Sequence, residues 1–135
     1  MTTTAEHTLS AEVLLDLIAE RARPGERPEE LLLDLGLVND RDFAMELAVR
    51  SGLPFTDLRT FVPDERLFLY VPLVTAIQER VVPLVLVEDT LHVASVYAEP
   101  RLEGVRRHFP RLLVSVEIAP RSQILAALDA ASREL

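Results

Sequence analysis

A chain of 135 residues with 49% hydrophobic and 27% charged residues has enough apolar mass for one domain-sized interior. Its formal charge of −8 argues against nucleic acid or an anionic membrane surface as a partner. All fourteen cations are arginine and there is no cysteine, which excludes Schiff-base lysines, a P-loop lysine, disulfides, thiolate nucleophiles and cysteine-ligated metals.

The opening "MTTTAEHTLS" has neither the basic nor the apolar region of a signal peptide, and residues 1–8 read as a polar tail. Ser10 is placed to cap a first helix, with Leu9 and Leu14 as a hydrophobic staple and Leu14, Leu17 and Ile18 as its apolar stripe. Pro24-Gly25 is the expected stop. "PEELLLDL" predicts a short second helix opened by Pro28 and closed by Gly36. Asn39 caps a third, stapled by Val38 and Phe43, buried along Phe43, Leu47 and Ala48, and ended by Gly52. Cap, stripe and staple of the first helix recur 29 positions later in the third, an incomplete internal repeat of a helical unit.

After Pro54 the pattern changes. "PFTDL" reads as extended, and "PDERLFLYV" and "PLVTAIQER" as brief helical pieces. "VVPLVLVED" and "TLHVASVY" form a hairpin candidate around Glu88-Asp89-Thr90, with Pro83 restricted to an edge or a strand start. The apolar run at 81–87 is too short to span a bilayer, so no direct membrane insertion and a cytoplasmic location are expected. A helix over "PRLEGVRRHF", a strand over "LLVSVEI" and a closing helix with Ile124, Leu125 and Leu128 inward complete the chain. The fold class is α+β. A helical lobe of about three short helices, residues 9–53, precedes a small α/β sandwich lobe, residues 54–135, with a three- or four-stranded sheet.

Candidate chemistry is sparse. His7, His92 and His108 stand in different elements without metal-ligand spacing, and Ser95, Ser115 and Ser122 have no nucleophile elbow. Acids such as Glu29-Glu30 and Asp40-Asp42 sit at helix starts, where the dipole accounts for them. No catalytic residue, metal site or cofactor is expected. The charge is uneven: residues 1–60 carry twelve acids against six arginines, whereas 101–121 carry five arginines against two acids. Arg101, Arg106, Arg107 and Arg111 therefore read either as a solvated face or as a docking patch for acidic groups, including those of a second copy in a head-to-tail homo-oligomer. Arg27 is expected to pair with Glu30 or Asp34. Phe61, Phe68, Leu69 and Tyr70 are candidates for partner anchors or for glue between the lobes.

The order "LGLVND", helix, "SGLPFTDL", "VPLVTAIQERVVPLVLVEDTLHVAS", "EP" resembles the N-terminal domain (GspE-N or MshEN-like) of type II secretion and type IV pilus assembly ATPases. The matching positions are Leu32, Leu33, Gly36, Leu37, Val38, Phe43, Leu47, residues 52–55 and 57–58, then Pro72, Ala76, Val82-Pro83-Leu84, Leu91, Val93-Ala94 and Pro100. The resemblance implies a non-catalytic module that docks on a protein partner of a secretion or pilus machine. It also raises an alternative, a cyclic di-GMP sensor built on two copies of a motif similar to "RLG..L...G.(I/L)....L...L..Q". Carried over, the second copy would use Arg27, Gly36 and Arg50, the last in place of glutamine. "RLG" has become "RPE", which puts Glu29 where a small residue would admit a phosphate, and the first copy has His7 for its glycine and Arg21 for its glutamine. Weak or absent cyclic di-GMP binding is the expectation.

Overall fold

The computed structural model describes residues 10–24 and 26–134. The expectations for the tail, His7, Leu9 and Gly25 lie outside the described residues.

Helix α1 (Ala11–Arg21) starts where expected: the Ser10 hydroxyl accepts the Val13 N–H at 3.2 Å. It buries Ala11, Leu14 and Leu15, while Leu17, expected inward, is 39% exposed. Residues 11, 14, 15 and 18 form the i, i+3, i+4, i+7 stripe, and position 17 falls on its flank. The helix also ends before Pro24. Ala22 is already extended, and the Glu26 carboxylate takes the Arg23 N–H in a local turn that competes with another helical turn.

Helix α2 (Pro28–Asp34) opens on its proline and closes in a Schellman motif, Leu37 N–H to Leu32 O and Gly36 N–H to Leu33 O, with Gly36 at φ 70°. Helix α3 (Asp40–Ser51) is capped by Asn39, whose Oδ1 accepts from the N–H groups of Arg41 and Asp42, both at 3.0 Å. Its end at Gly52, φ 71°, repeats the paired closing bonds. Val38 and Phe43 are both buried with Ala11, Leu14 and Leu15, so the second staple forms as expected and fastens α1 to α3.

Beyond α3 the chain builds a three-stranded sheet in the order β1 (Val81–Val87), β2 (Thr90–Ser95), β3 (Leu113–Ile118). Strands β1 and β2 form the antiparallel hairpin. β3 runs parallel to β2 after a crossover through α5 (Glu103–His108). Pro83 lies on edge strand β1, where the register shifts between Pro83 and Val85, so the missing N–H falls at a bulge. The "PFTDL" stretch adds a rung beyond β3: Phe55 bridges Ile118, with Ile118 N–H to Pro54 O at 2.7 Å and Thr56 N–H to Ile118 O at 2.8 Å. Ala44, Ala48 and Ile118 bury together at this seam.

The main core gathers Leu91, Val93, Val81 and Val82 of the sheet with Leu102, Val105, Ile124 and Leu128 from α5, its flank and α6 (Arg121–Glu134). Each such side chain contributes about 1.5–3 kcal/mol of burial. Leu125, expected inward, is only half-buried. A 3-10 helix (Glu65–Leu69) and α4 (Leu73–Glu79) close the core. Phe68 is buried in that core and Phe61 and Tyr70 pack against it, whereas Leu69 is 73% exposed. The aromatic group thus seals the sheet's own interior.

Candidate functional site

Helix α2 has no fully buried side chain, so hydrophobic burial alone does not hold it in place. Charges do much of that. Arg27, at its mouth, reaches Glu79 at the end of α4 (Nη2 to Oε1, 2.9 Å), and both side chains are largely buried. The same guanidinium stacks on the Tyr97 ring, 4.0 Å from its centroid. Glu30 accepts the Tyr97 hydroxyl, faces Arg80 Nε at 3.1 Å and Arg121 Nε at 3.3 Å, and Arg121 also holds Asp34. The expected pairing of Arg27 with Glu30 or Asp34 is therefore replaced. Glu30 turns to Arg80 and Arg121 and Asp34 to Arg121, while Arg27 is taken by Glu79 and the Tyr97 ring. Burial first, and then the Glu30 carboxylate, holds the Tyr97 phenol well above its ordinary range.

Beside this lattice lies a cleft of about 700 Å³ between the first three helices and the sheet. Phe43, Leu47, Leu102 and Val116 give it an apolar floor, and Arg27, Glu29, Tyr97 and Arg106 stand among its polar lining. Burial pushes the Glu29 carboxyl up, against the pull of its own N–H and of Arg27. The cleft therefore opposes a second negative charge near Glu29.

The residues singled out in the sequence are dispersed. Of Arg27, Gly36 and Arg50, only Arg27 lines the cleft. Gly36 turns the α2–α3 corner, and a Cβ there would meet nothing within 4 Å, so its glycine serves φ rather than close approach. Arg50 pins α3 to α1 through Asp16 at 2.8 Å and the Glu12 carbonyl at 3.1 Å, and also pairs with Glu46 of its own helix at 3.0 Å. The arginine cluster divides around α5. Arg101 and Arg106 line the cleft, Arg111 lines a separate groove, and Arg107 is exposed. The Arg101 N–H also donates to Glu79 Oε1 at 2.7 Å. His92 stands 3.8 Å from Glu117 across β2 and β3. Among the described residues no cluster of histidine and carboxylates has the arrangement of a metal site, and no helix is long and apolar enough to cross a membrane.

Sequence reading missed Tyr97, Glu79 and Glu30 as the organisers of this region. The available signal was a tyrosine at the end of an apolar strand, whose hydroxyl needs a partner once buried.

The MshEN domain matches residues 51–134. The chain belongs to that family. Its fold is shared with the N-terminal domain of XpsE in two crystal forms. The first is 26% identical with a TM-score of 0.62 over 90% of this chain and 86% of that one; the second is 21% identical with 0.61 over 96% of each. The structure of MshE with cdg is similar at 23% identity and a TM-score of 0.59, covering 93% of this chain and 91% of that one. No curated protein matches significantly. This MshEN domain thus bears out the family resemblance read from "GLPF", "DL" and the Val82-Pro83-Leu84 run. The family match begins at the last residue of α3, and the likeness to XpsE extends the shared fold across α1 to α3.

Proposed function

We propose that this chain is a non-catalytic interaction module of a secretion- or pilus-type machine, acting in the cytoplasm by docking on a protein partner through the arginine-bearing α5 region. Residues 9–53 and 54–135 work in it as one unit. The observation that carries this reading is the likeness to the XpsE N-terminal domain, at 26% identity over 90% of the chain. Arg106, Arg107 and Arg111 are exposed and available to acidic groups. The test is binding of the purified chain to the cytoplasmic part of the inner-membrane platform protein from the same organism. Micromolar or tighter binding, weakened by salt and by Arg106→Glu with Arg107→Glu, is expected. Absence of binding by the folded wild type defeats the reading.

A second reading is a cyclic di-GMP sensor with a degenerate site. Supporting it are the fold shared with MshE, a protein solved with cdg, and the pairing of a guanidinium with an aromatic ring at Arg27 and Tyr97. Against it, Arg27 is already engaged by Glu79, Glu29 lines the same cleft, and Arg50 is committed to α1. Each lost charged hydrogen bond costs about 1.5–3 kcal/mol. Weak or absent binding is therefore expected by calorimetry. Submicromolar affinity abolished by Arg27→Ala would establish the sensor instead.

A further inference from the structure

Helix α2 is held differently from its two neighbours. Leu14 and Leu15 fasten α1 to α3 against Val38 and Phe43, and Arg50 adds its bonds to Asp16 and the Glu12 carbonyl. Ala44 and Ala48 fasten α3 to the sheet against Ile118, and the Asp40 carboxylate accepts the Ser122 N–H of α6 at 2.8 Å. α2 has no anchor of that kind. Its backbone approaches no other element as extensively as α1 approaches α3. Leu31 is 61% exposed, and only Leu32 and Leu33 join the apolar clusters, each half-buried.

What α2 has is charge. Arg27 at its mouth, Glu30 in its first turn and Asp34 at its end all reach across to the α+β lobe. Their partners there are Glu79, Arg80, Arg121 and both the ring and the hydroxyl of Tyr97. The fit is incomplete. Among the described residues the Arg121 Nε is buried without a hydrogen bond, although Glu30 lies 3.3 Å away. A part-buried ion pair outweighs the lost hydration of its members only where geometry is good, so α2 is held by a narrow margin. At seven residues it is also too short a helix to persist alone in water.

We propose that α2 is a strap across the cleft, which lifts and unwinds between fixed ends while α1 and α3 stay docked. Arg27 and Glu29 at its start line the cleft, so lifting it uncovers the apolar floor of Phe43, Leu47, Leu102 and Val116. Hinges stand at both ends. Ala22 is already extended where α1 stops, and Gly36 turns the chain toward α3 at φ 70°. The strap answers to charge: the Asp34 side chain is 55% exposed, so salt reaches the lattice from that end. The device stands whatever partner the chain meets.

The test uses the full chain, whose lack of cysteine lets spin labels be placed in pairs. Leu31→Cys with Arg107→Cys, both exposed positions, reports on α2 against α5. Val13→Cys with Val49→Cys, also exposed, reports on α1 against α3. Pulsed electron–electron distance measurements are made at low and high salt, with circular dichroism to confirm that each variant is folded. The first pair is expected to gain a longer, broader distance at high salt while the second pair keeps its own. Glu30→Gln removes the carboxylate that meets Tyr97, Arg80 and Arg121, and should raise the lifted fraction at low salt about tenfold. Lifting under either condition supports the strap. A first pair that keeps one narrow distance both at high salt and in Glu30→Gln overturns it. So does a second pair that broadens in step with the first, since the helical lobe would then be coming apart as a whole. If Glu30→Gln does not fold, the salt series on the otherwise native chain decides alone.

Discussion

Arg27 clasps two elements at once: its guanidinium lies 4.0 Å over the Tyr97 ring while its Nη2 holds Glu79 at 2.9 Å. Glu79 is the last residue of α4 and Tyr97 follows β2, so one side chain fastens the start of α2 to the sheet and to the helix beside it. Arg27→Ala takes the guanidinium away from a largely buried Glu79, which the Arg101 N–H also reaches, and should cost about 2 kcal/mol in urea unfolding. Arg27→Lys keeps the charge but loses the flat stacked contact, and should cost about half as much. Hydrogen exchange should show the α2 amides opening first. A loss within error for Arg27→Ala would mean that the apolar contacts of Leu32 and Leu33 hold α2 unaided.

Tyr97 gives a second prediction, at high pH. Its phenol is held well above the ordinary value by burial and by Glu30, so the folded state favours the protonated form. Stability is therefore unaffected by this group below about pH 10, the unfolded pKa, and falls above it as the unfolded phenol ionises first. Ultraviolet titration of wild type against Tyr97→Phe should show the Tyr97 tyrosinate appearing together with unfolding. Ionisation of Tyr97 in the native protein near pH 10 would contradict the buried hydroxyl.

Glu29 carries the opposite consequence for a carboxylate. Its pKa is raised, mainly by burial, so the charged form is disfavoured in the fold and the penalty sets in as pH rises through the carboxylate range. Glu29→Gln should raise Tm at neutral pH by about 1–3 °C and leave it unchanged at low pH, where both side chains are neutral. If cyclic di-GMP binds at all, the same variant should tighten it, because the cleft loses its repelling carboxylate. Lower thermal stability of Glu29→Gln at pH 7 would show that the charge is needed.

The extent to which the sequence was readable follows the range of each interaction. Ser10, Asn39, Gly36 and Gly52 act on groups within a few residues, and their helix ends stand as read. Pro83 is likewise local, since a missing N–H restricts it whatever surrounds it. Arg27–Glu79 spans 52 residues, and Tyr97 to Glu30 spans 67. Nothing in a string of charges says which arginine will meet which acid when several fit. Within the arginine run, successive residues on a helix point about 100° apart, which separates Arg106, lining the cleft, from its exposed neighbour Arg107 on α5. Leu17 failed because a stripe drawn through three leucine-like positions omitted Ala11 and Leu15, which set the true direction of burial.

The segment "GLPFTDL" supplies the last prediction, for acid. Asp57 accepts the backbone N–H of Arg59 and then the side chains of Arg59 and Arg41, which together hold its pKa at about 2. Arg41 belongs to α3 and also lies 5.2 Å from the centroid of Phe55, the residue that adds a rung beyond β3. The carboxylate thus joins the third helix to the strip of chain that lies along β3. The unfolded aspartate titrates at about 3.9, above the folded value. The contribution of Asp57 is therefore fully present above about pH 4 and is lost as pH falls toward 2. Asp57→Asn should melt a few degrees below wild type at neutral pH, on the order of 1–3 °C because these pairs are solvent-exposed, and converge with it in strong acid. High salt at pH 7 should narrow the gap, whereas the backbone bond from Arg59, which does not depend on long-range charge, should keep it from closing. Parallel melting curves for the two proteins from pH 7 down to pH 2, with no convergence, would show that Asp57 acts through its shape and not through its charge.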